Sequence, residues 1–195
     1  MTELLNTIAV RRTPLGIVGE HPWIGLDFAR QPHRILLLGE SYYGQHLGDL
    51  EHDQVWIQAV LQGYIADEFF LVTPRHLGES PHSFWHRHMF TNFVIDPLAT
   101  NNTKRPTTAQ LRASEPRLEA LIERHSIAGI LCLGKTHSAA AARVAKRRGI
   151  AIAATNHPTG VNNWIGPETA RFSAQHARAT WADLQAQLAQ RHALA

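Results

Sequence analysis

Gly129-Ile130-Leu131-Cys132-Leu133 is a continuous apolar run, and it leads directly into Gly134-Lys135-Thr136-His137. It lacks the apolar/polar alternation of a half-exposed strand, so it predicts a strand covered on both faces, as in parallel sheets. Ile35-Leu36-Leu37-Leu38 and Ile150-Ala151-Ile152-Ala153-Ala154 have the same character, and Phe90-Thr91-Asn92-Phe93-Val94-Ile95 is a fourth candidate strand. Helical segments separate these runs. Asp53 to Ile65 has an amphipathic pattern, and Thr107 or Thr108 caps a helix that begins at Ala109. Pro116 divides that segment into two short helices, the second carrying Leu118, Leu121 and Ile122 at helical spacing. Ser138 to Arg148 is alanine-rich and stops at Gly149, and a last helix from Pro167 to His192 turns Ala177, Trp181, Leu184 and Leu188 towards the sheet. Strands alternating with helices predict an α/β protein, a three-layer α/β/α sandwich around a mainly parallel central sheet of about four strands. The histidine- and proline-rich stretch from Phe70 to Met89 reads as a long ordered loop or insertion.

The chain has 195 residues, 44% hydrophobic and 18% charged, which predicts one globular domain spanning 1–195 and excludes a disordered chain. Formal net charge is +3 with 13 histidines, a mildly basic balance compatible with a polyanionic partner. The single cysteine, Cys132, leaves no internal disulfide, four-cysteine zinc site or iron–sulfur cluster, and its place in an apolar run predicts a buried hydrophobe. Met1 to Arg12 lacks the apolar core of a signal peptide, and no apolar run approaches the ~18 residues of a membrane span. The expectation is a cytoplasmic monomer with no membrane partner and no cofactor. Neither a Walker loop nor a G-x-G-x-x-G fingerprint occurs.

In a sheet of this kind ligands bind beyond the carboxyl ends of the strands. Those ends carry Gly39-Glu40-Ser41-Tyr42-Tyr43-Gly44, Thr91-Asn92, Gly134-Lys135-Thr136-His137 and Asn156-His157-Pro158-Thr159-Gly160. A carboxylate, an amide and an imidazole converging at one rim suit recognition of a planar polar ring and stabilisation of a departing anion.

Gly39-Glu40-Ser41-Tyr42-Tyr43 resembles the first motif of the uracil-DNA glycosylase superfamily, which occurs as G-Q-D-P-Y, G-I-N-P-G or G-E-A-P-G. His157-Pro158-Thr159-Gly160 is similar to its second motif, H-P-S-P or N-P-S-G. Thr91-Asn92-Phe93-Val94 resembles the T-N-V-V strand of the iron–sulfur branch, and Leu133-Gly134-Lys135-Thr136 its A-L-G-x-T strand end. The likeness runs from about Ile35 to Gly160, yet the branch's four cluster cysteines are missing, and Ser41 and Tyr42 depart from the first motif.

The resemblance implies a monofunctional DNA glycosylase that hydrolyses the N-glycosidic bond of a flipped, deaminated base, uracil or hypoxanthine-like. Asn92 is then the reader of the base edge, and His157 the donor to the base's carbonyl oxygen. Glu40 orients water or balances the cationic sugar, and Ser41 takes the water-positioning place that is Asp or Asn in several branches. Tyr43 crowds the ring position where thymine bears its methyl group. Lys135, Pro158, Thr159 and Gly160 belong to the DNA-facing loops, and Val161 stands at the wedge that fills the vacated stack. Phe84 and Trp85 are candidates to stack on the base, with core packing as the equal alternative. A catalytically silent member that binds a nucleobase or nucleic acid is the second reading. A metal hydrolase built on His86 and His88, with His82 or His76 as third ligand, is the third. The cluster Arg143, Lys146, Arg147 and Arg148 reads as a solvated helix end rather than a phosphate site.

Overall fold

The computed structural model describes residues 22–41, 52–95, 105–158 and 167–193. Their strands are β1 (Trp23–Ile24), β2 (Ile35–Ser41), β3 (Met89–Val94), β4 (Gly129–Leu133) and β5 (Ala151–Thr155). The helices are α1 (His52–Leu61), α2 (Glu68–His76), α3 (Pro81–Arg87), α4 (Thr108–His125), α5 (Ser138–Arg148) and α6 (Pro167–Ala193). The strands form one sheet in the order β1-β3-β2-β4-β5.

The sheet is mixed and five-stranded, where the sequence predicts a mainly parallel sheet of about four. β3, β2, β4 and β5 pair in parallel, and β1 adds antiparallel to the β3 edge. A two-residue strand has no periodicity to read. Contacts far along the chain hold it instead: Trp23 Nε1 donates to the Trp85 carbonyl at 2.6 Å, and Gly25 N to the His88 carbonyl at 3.0 Å. Gly25 permits that approach, since a Cβ there would lie 2.2 Å from the His86 carbonyl oxygen.

Alternate residues of the central strands enter two cores, because successive side chains leave a strand on opposite faces. Leu37, Phe90 and Leu131 pack with Ile57 and Val60 of α1, Phe84 and Trp85 of α3, and Trp181 and Leu184 of α6. Leu36, Leu38, Ile130 and Cys132 pack with Leu118 and Ile122 of α4 and Val144 of α5. Helices therefore cover both faces. Burial of each such side chain contributes about 1.5–3 kcal/mol before the entropy of ordering it is subtracted. Cys132 is a core residue as expected, and burial pushes its thiol up to about 12.

Two local expectations are corrected. α4 runs unbroken through Pro116 for 18 residues. Its start is fixed by a capping box, in which Thr107 Oγ1 accepts from Gln110 N at 3.2 Å and Gln110 Oε1 accepts from Thr107 N at 2.9 Å. An interior proline costs a helix about 3 kcal/mol. Leu118, Leu121 and Ile122 bury themselves on the sheet beyond it and offset that cost. The stretch from Phe70 to Met89 is not a loop: it contains most of α2, all of α3 and the first residue of β3. Pro74 sits within α2 in its last turn, where the chain is already ending the helix, and Pro81 opens α3, where a proline lacks no needed donor.

The basic helix end of α5 is a ladder of ion pairs with α4. Arg143 binds Glu115, Arg147 binds Glu115 and Glu119, and Arg148 binds Glu123 at 3.2 Å. That is the solvated-face reading of the cluster.

Candidate functional site

Gly39 and Asn92 are register partners on β2 and β3. A Cβ built on Gly39 would meet Asn92 Oδ1 at 2.2 Å, so the absent side chain is what lets the amide lie across β2. The Asn92 backbone carbonyl accepts from Arg117 Nη1 at 3.0 Å, and Thr91 Oγ1 accepts from Arg117 Nη2 at 2.9 Å. Arg117, on α4, thus anchors the strand that carries the amide, a role that sequence reading did not assign to it.

Glu40 is the penultimate residue of β2, with only 6% of its surface exposed. A carboxylate this buried needs a cation or donors. Arg105 supplies one, with Nη1 donating to Glu40 Oε1 at 3.0 Å. Arg105 lies just before α4 and was likewise not assigned from sequence; nothing in its local pattern distinguishes it from other surface arginines. Ser41, the last residue of β2, is buried and its Oγ has no partner among the described residues.

His157 follows β5, partly buried, with its ring 5.3 Å from that of Phe69. Burial lowers its pKa, the Glu40 carboxylate opposes that shift, and the Arg105 guanidinium adds to it. The ring is therefore neutral near pH 7 and keeps one N–H to donate. His137 follows β4 and is fully buried. Its Nε2 lies 2.9 Å from the Leu38 carbonyl oxygen, which only accepts, so Nε2 carries the hydrogen. Burial pushes His137 down to about 4, against the Leu38 carbonyl and the Glu40 carboxylate, and His157 lowers it further. Glu40 thus acts electrostatically on both imidazoles, and the structure brings Glu40, Asn92 and His157 to the same rim.

Other expected residues divide three ways. Lys135 is exposed at the end of β4, and Pro158 is buried beside His157. Tyr43, Thr159, Gly160 and Val161 lie outside the described residues. Phe84 and Trp85 are corrected to core: both are wholly buried, Trp85 Nε1 donates to the Phe70 carbonyl at 2.8 Å, and Phe84 packs edge-on against Trp181 at 6.0 Å. No face of either ring is open to a base. Among the described residues Phe69 brings an aromatic ring to His157, half-buried between it and Phe90, whose ring is 5.8 Å away. Its neighbour Phe70 is the buried one of the pair, a distinction that only the turn of α2 reveals.

The histidine-rich stretch does not assemble a metal site. His82 and His86 meet edge to face at 4.4 Å, while His88 points away into the core with Nδ1 2.8 Å from the Phe84 carbonyl oxygen. Burial pushes His88 down to about 4. His86 and His88 do not share a strand, since α3 ends at Arg87. Among the described residues no group of three or more His, Cys, Asp or Glu is arranged to hold a metal ion. Among them, too, no helix is long and apolar enough to cross a membrane.

Neither known family models nor curated proteins give a match to this chain.

Proposed function

We propose that the chain is a uracil-DNA glycosylase-like enzyme, a monofunctional hydrolase that removes a deaminated base flipped out of DNA. The observation that carries this reading is the placement of the Asn92 amide over Gly39, at the rim that also holds Glu40 and His157. An amide offers a donor and an acceptor together, which is what the edge of a uracil-like ring requires. Phe69 supplies the flat apolar contact for that ring, in place of Phe84 and Trp85. As the C1′–N bond breaks, negative charge gathers on the base, and a neutral His157 donates to its carbonyl oxygen without the cost of burying a second charge. Glu40, held by Arg105, faces the positive sugar and the water that attacks it. Lys135 stays in solvent, and no lysine is assigned a lyase step. The finer fold assignment, a three-layer sandwich of the glycosylase type, belongs to the same proposal.

Ser41 favours one rival. A hydroxyl stands where a carboxylate or amide positions water in several branches of the superfamily, as a catalytically silent nucleobase-binding protein would have it. A panel of oligonucleotides, each with one deaminated base, decides between them. The wild-type protein is expected to make uracil- or hypoxanthine-containing strands alkali-labile. A gel shift with no base released, in single-stranded and duplex DNA alike, identifies the silent binder and ends the enzyme reading.

Gly39→Ala gives a narrower check. The new methyl group displaces the Asn92 amide, so base release is expected to fall about as far as in Asn92→Ala, and adding Gly39→Ala to Asn92→Ala is expected to cost little more. Additive losses in the double variant would show that Gly39 acts through something else.

A further inference from the structure

His137 has no role in the reading above, yet its placement is unusual for a core residue. Nε2 is committed to the Leu38 carbonyl, leaving Nδ1 of the neutral ring as an acceptor. That Nδ1 is buried with no hydrogen-bonding partner among the described residues. Leaving such an acceptor unsatisfied costs about 1–3 kcal/mol. A phenylalanine in the same place would stack on Phe93, whose ring centroid is 6.1 Å away, without that penalty.

The Cε1–Nδ1 edge of the ring borders Gly134. A Cβ built on Gly134 would lie 3.6 Å from His137 Cε1, 4.0 Å from His137 Nδ1 and 3.9 Å from His157 Cδ2. The edges of the two imidazoles thus flank the place that a side chain at residue 134 would take, and the glycine leaves that place to a small group. Gly134 also has φ +138, a conformation that other residues rarely adopt. Glu40 is close enough to act on both rings.

We infer that His137 Nδ1 accepts a hydrogen bond from the water that attacks the sugar, making His137 a positioning residue for that water beside Glu40. The inference rests on the glycosylase reading and assigns the water-holding role that Ser41 was expected to fill. In the step itself, the C1′–N bond breaks with its electron pair on the base. The water oxygen bonds to C1′ and gives one proton to the Glu40 carboxylate, and the base anion takes up that proton through solvent. His137 stays neutral throughout and fixes the orientation of the water by accepting its other O–H.

Two variants and one spectrum test this. His137→Phe keeps the ring and its packing on Phe93 but has no acceptor. His137→Asn packs worse and also loses the Leu38 bond, yet places an amide oxygen near the Nδ1 position. A positioning role predicts that kcat falls about 100-fold in His137→Phe with KM unchanged. It also predicts that His137→Asn recovers at least tenfold over it despite a lower melting temperature. Activity that follows melting temperature instead, with Phe above Asn, overturns the inference. In 15N spectra of the wild type at pH 7, Nε2 should carry the proton and Nδ1 should not; a protonated Nδ1 overturns it without any assay. If the wild type releases base and His137→Phe matches it, only this inference falls. If the wild type releases none, the glycosylase reading falls and takes this inference with it.

Discussion

His157→Ala combined with Asn92→Ala is expected to bring base release down to background. In the proposed reaction each residue would act at a different stage. Asn92 would hold the extruded ring, so its loss would weaken binding of the flipped base as well as the transition state. His157 would meet charge that exists only while the bond is breaking, so its loss would fall on kcat. Removing one preorganised donor from a developing anion costs about 100- to 1000-fold. The amide's two hydrogen bonds to the base are worth roughly another 10- to 100-fold. The two groups serve one bound ring, so the losses will not add cleanly, and a fall of at least 1000-fold is the expectation. Single-turnover strand cleavage after alkali measures it. Circular dichroism and melting temperature close to the wild type would show that the fold survives, as expected where His157 is partly exposed and Asn92 contributes no apolar packing. A double variant that keeps more than a tenth of the wild-type rate would remove these residues from the chemistry.

Acidification is expected to destabilise the protein steeply between about pH 6.5 and pH 4. His88 and His137 are both buried neutral, each lowered from 6.5 to about 4, chiefly by burial. The unfolded chain therefore binds these protons more readily than the folded one. The sign follows: stability is full above 6.5, declines as pH falls through the window, and levels off below the folded values as far as these groups are concerned. With 1.36 kcal/mol for each unit, each imidazole accounts for about 3 kcal/mol. Together they approach half the total stability of an ordinary domain. Urea unfolding at pH 7 and pH 4 measures the difference. His88→Phe should remove about half of the pH dependence, because His88 lies among Phe84 and Trp181 and donates or accepts nothing towards the rim. A stability that does not change across the window would mean that neither ring is buried neutral.

The central strands were legible in the sequence because burial on both faces leaves unbroken apolar runs. The boundaries were less so: β2 extends through Gly39 and Glu40 to Ser41, so the residues read as a loop after the strand are its last three. α5 and α6 were legible from an alanine-rich run ended by a left-handed Gly149 and from the stripe of Ala177, Trp181, Leu184 and Leu188. α2 and α3 were hidden by their prolines and histidines, whose compatibility with helix depends on their position within each turn. Of the site, the residues at strand ends were readable, since topology alone brings them to one rim. Phe69, Arg105 and Arg117 were not, because each enters from another element and its direction depends on packing that no local pattern encodes. His137 is visible in the sequence only as part of a strand end, and its Leu38 hydrogen bond depends on the orientation of its ring.

The ion-pair ladder between α4 and α5 bears on how the molecule would meet DNA. Arginines already facing Glu115, Glu119 and Glu123 present little positive potential to a phosphate backbone. With a formal net charge of only +3, the long-range attraction of the chain to a duplex would be weak. Discrimination would then fall mainly on the extruded base and on how easily a lesion leaves its stack, which favours mispaired or unpaired bases over those held in a sound duplex.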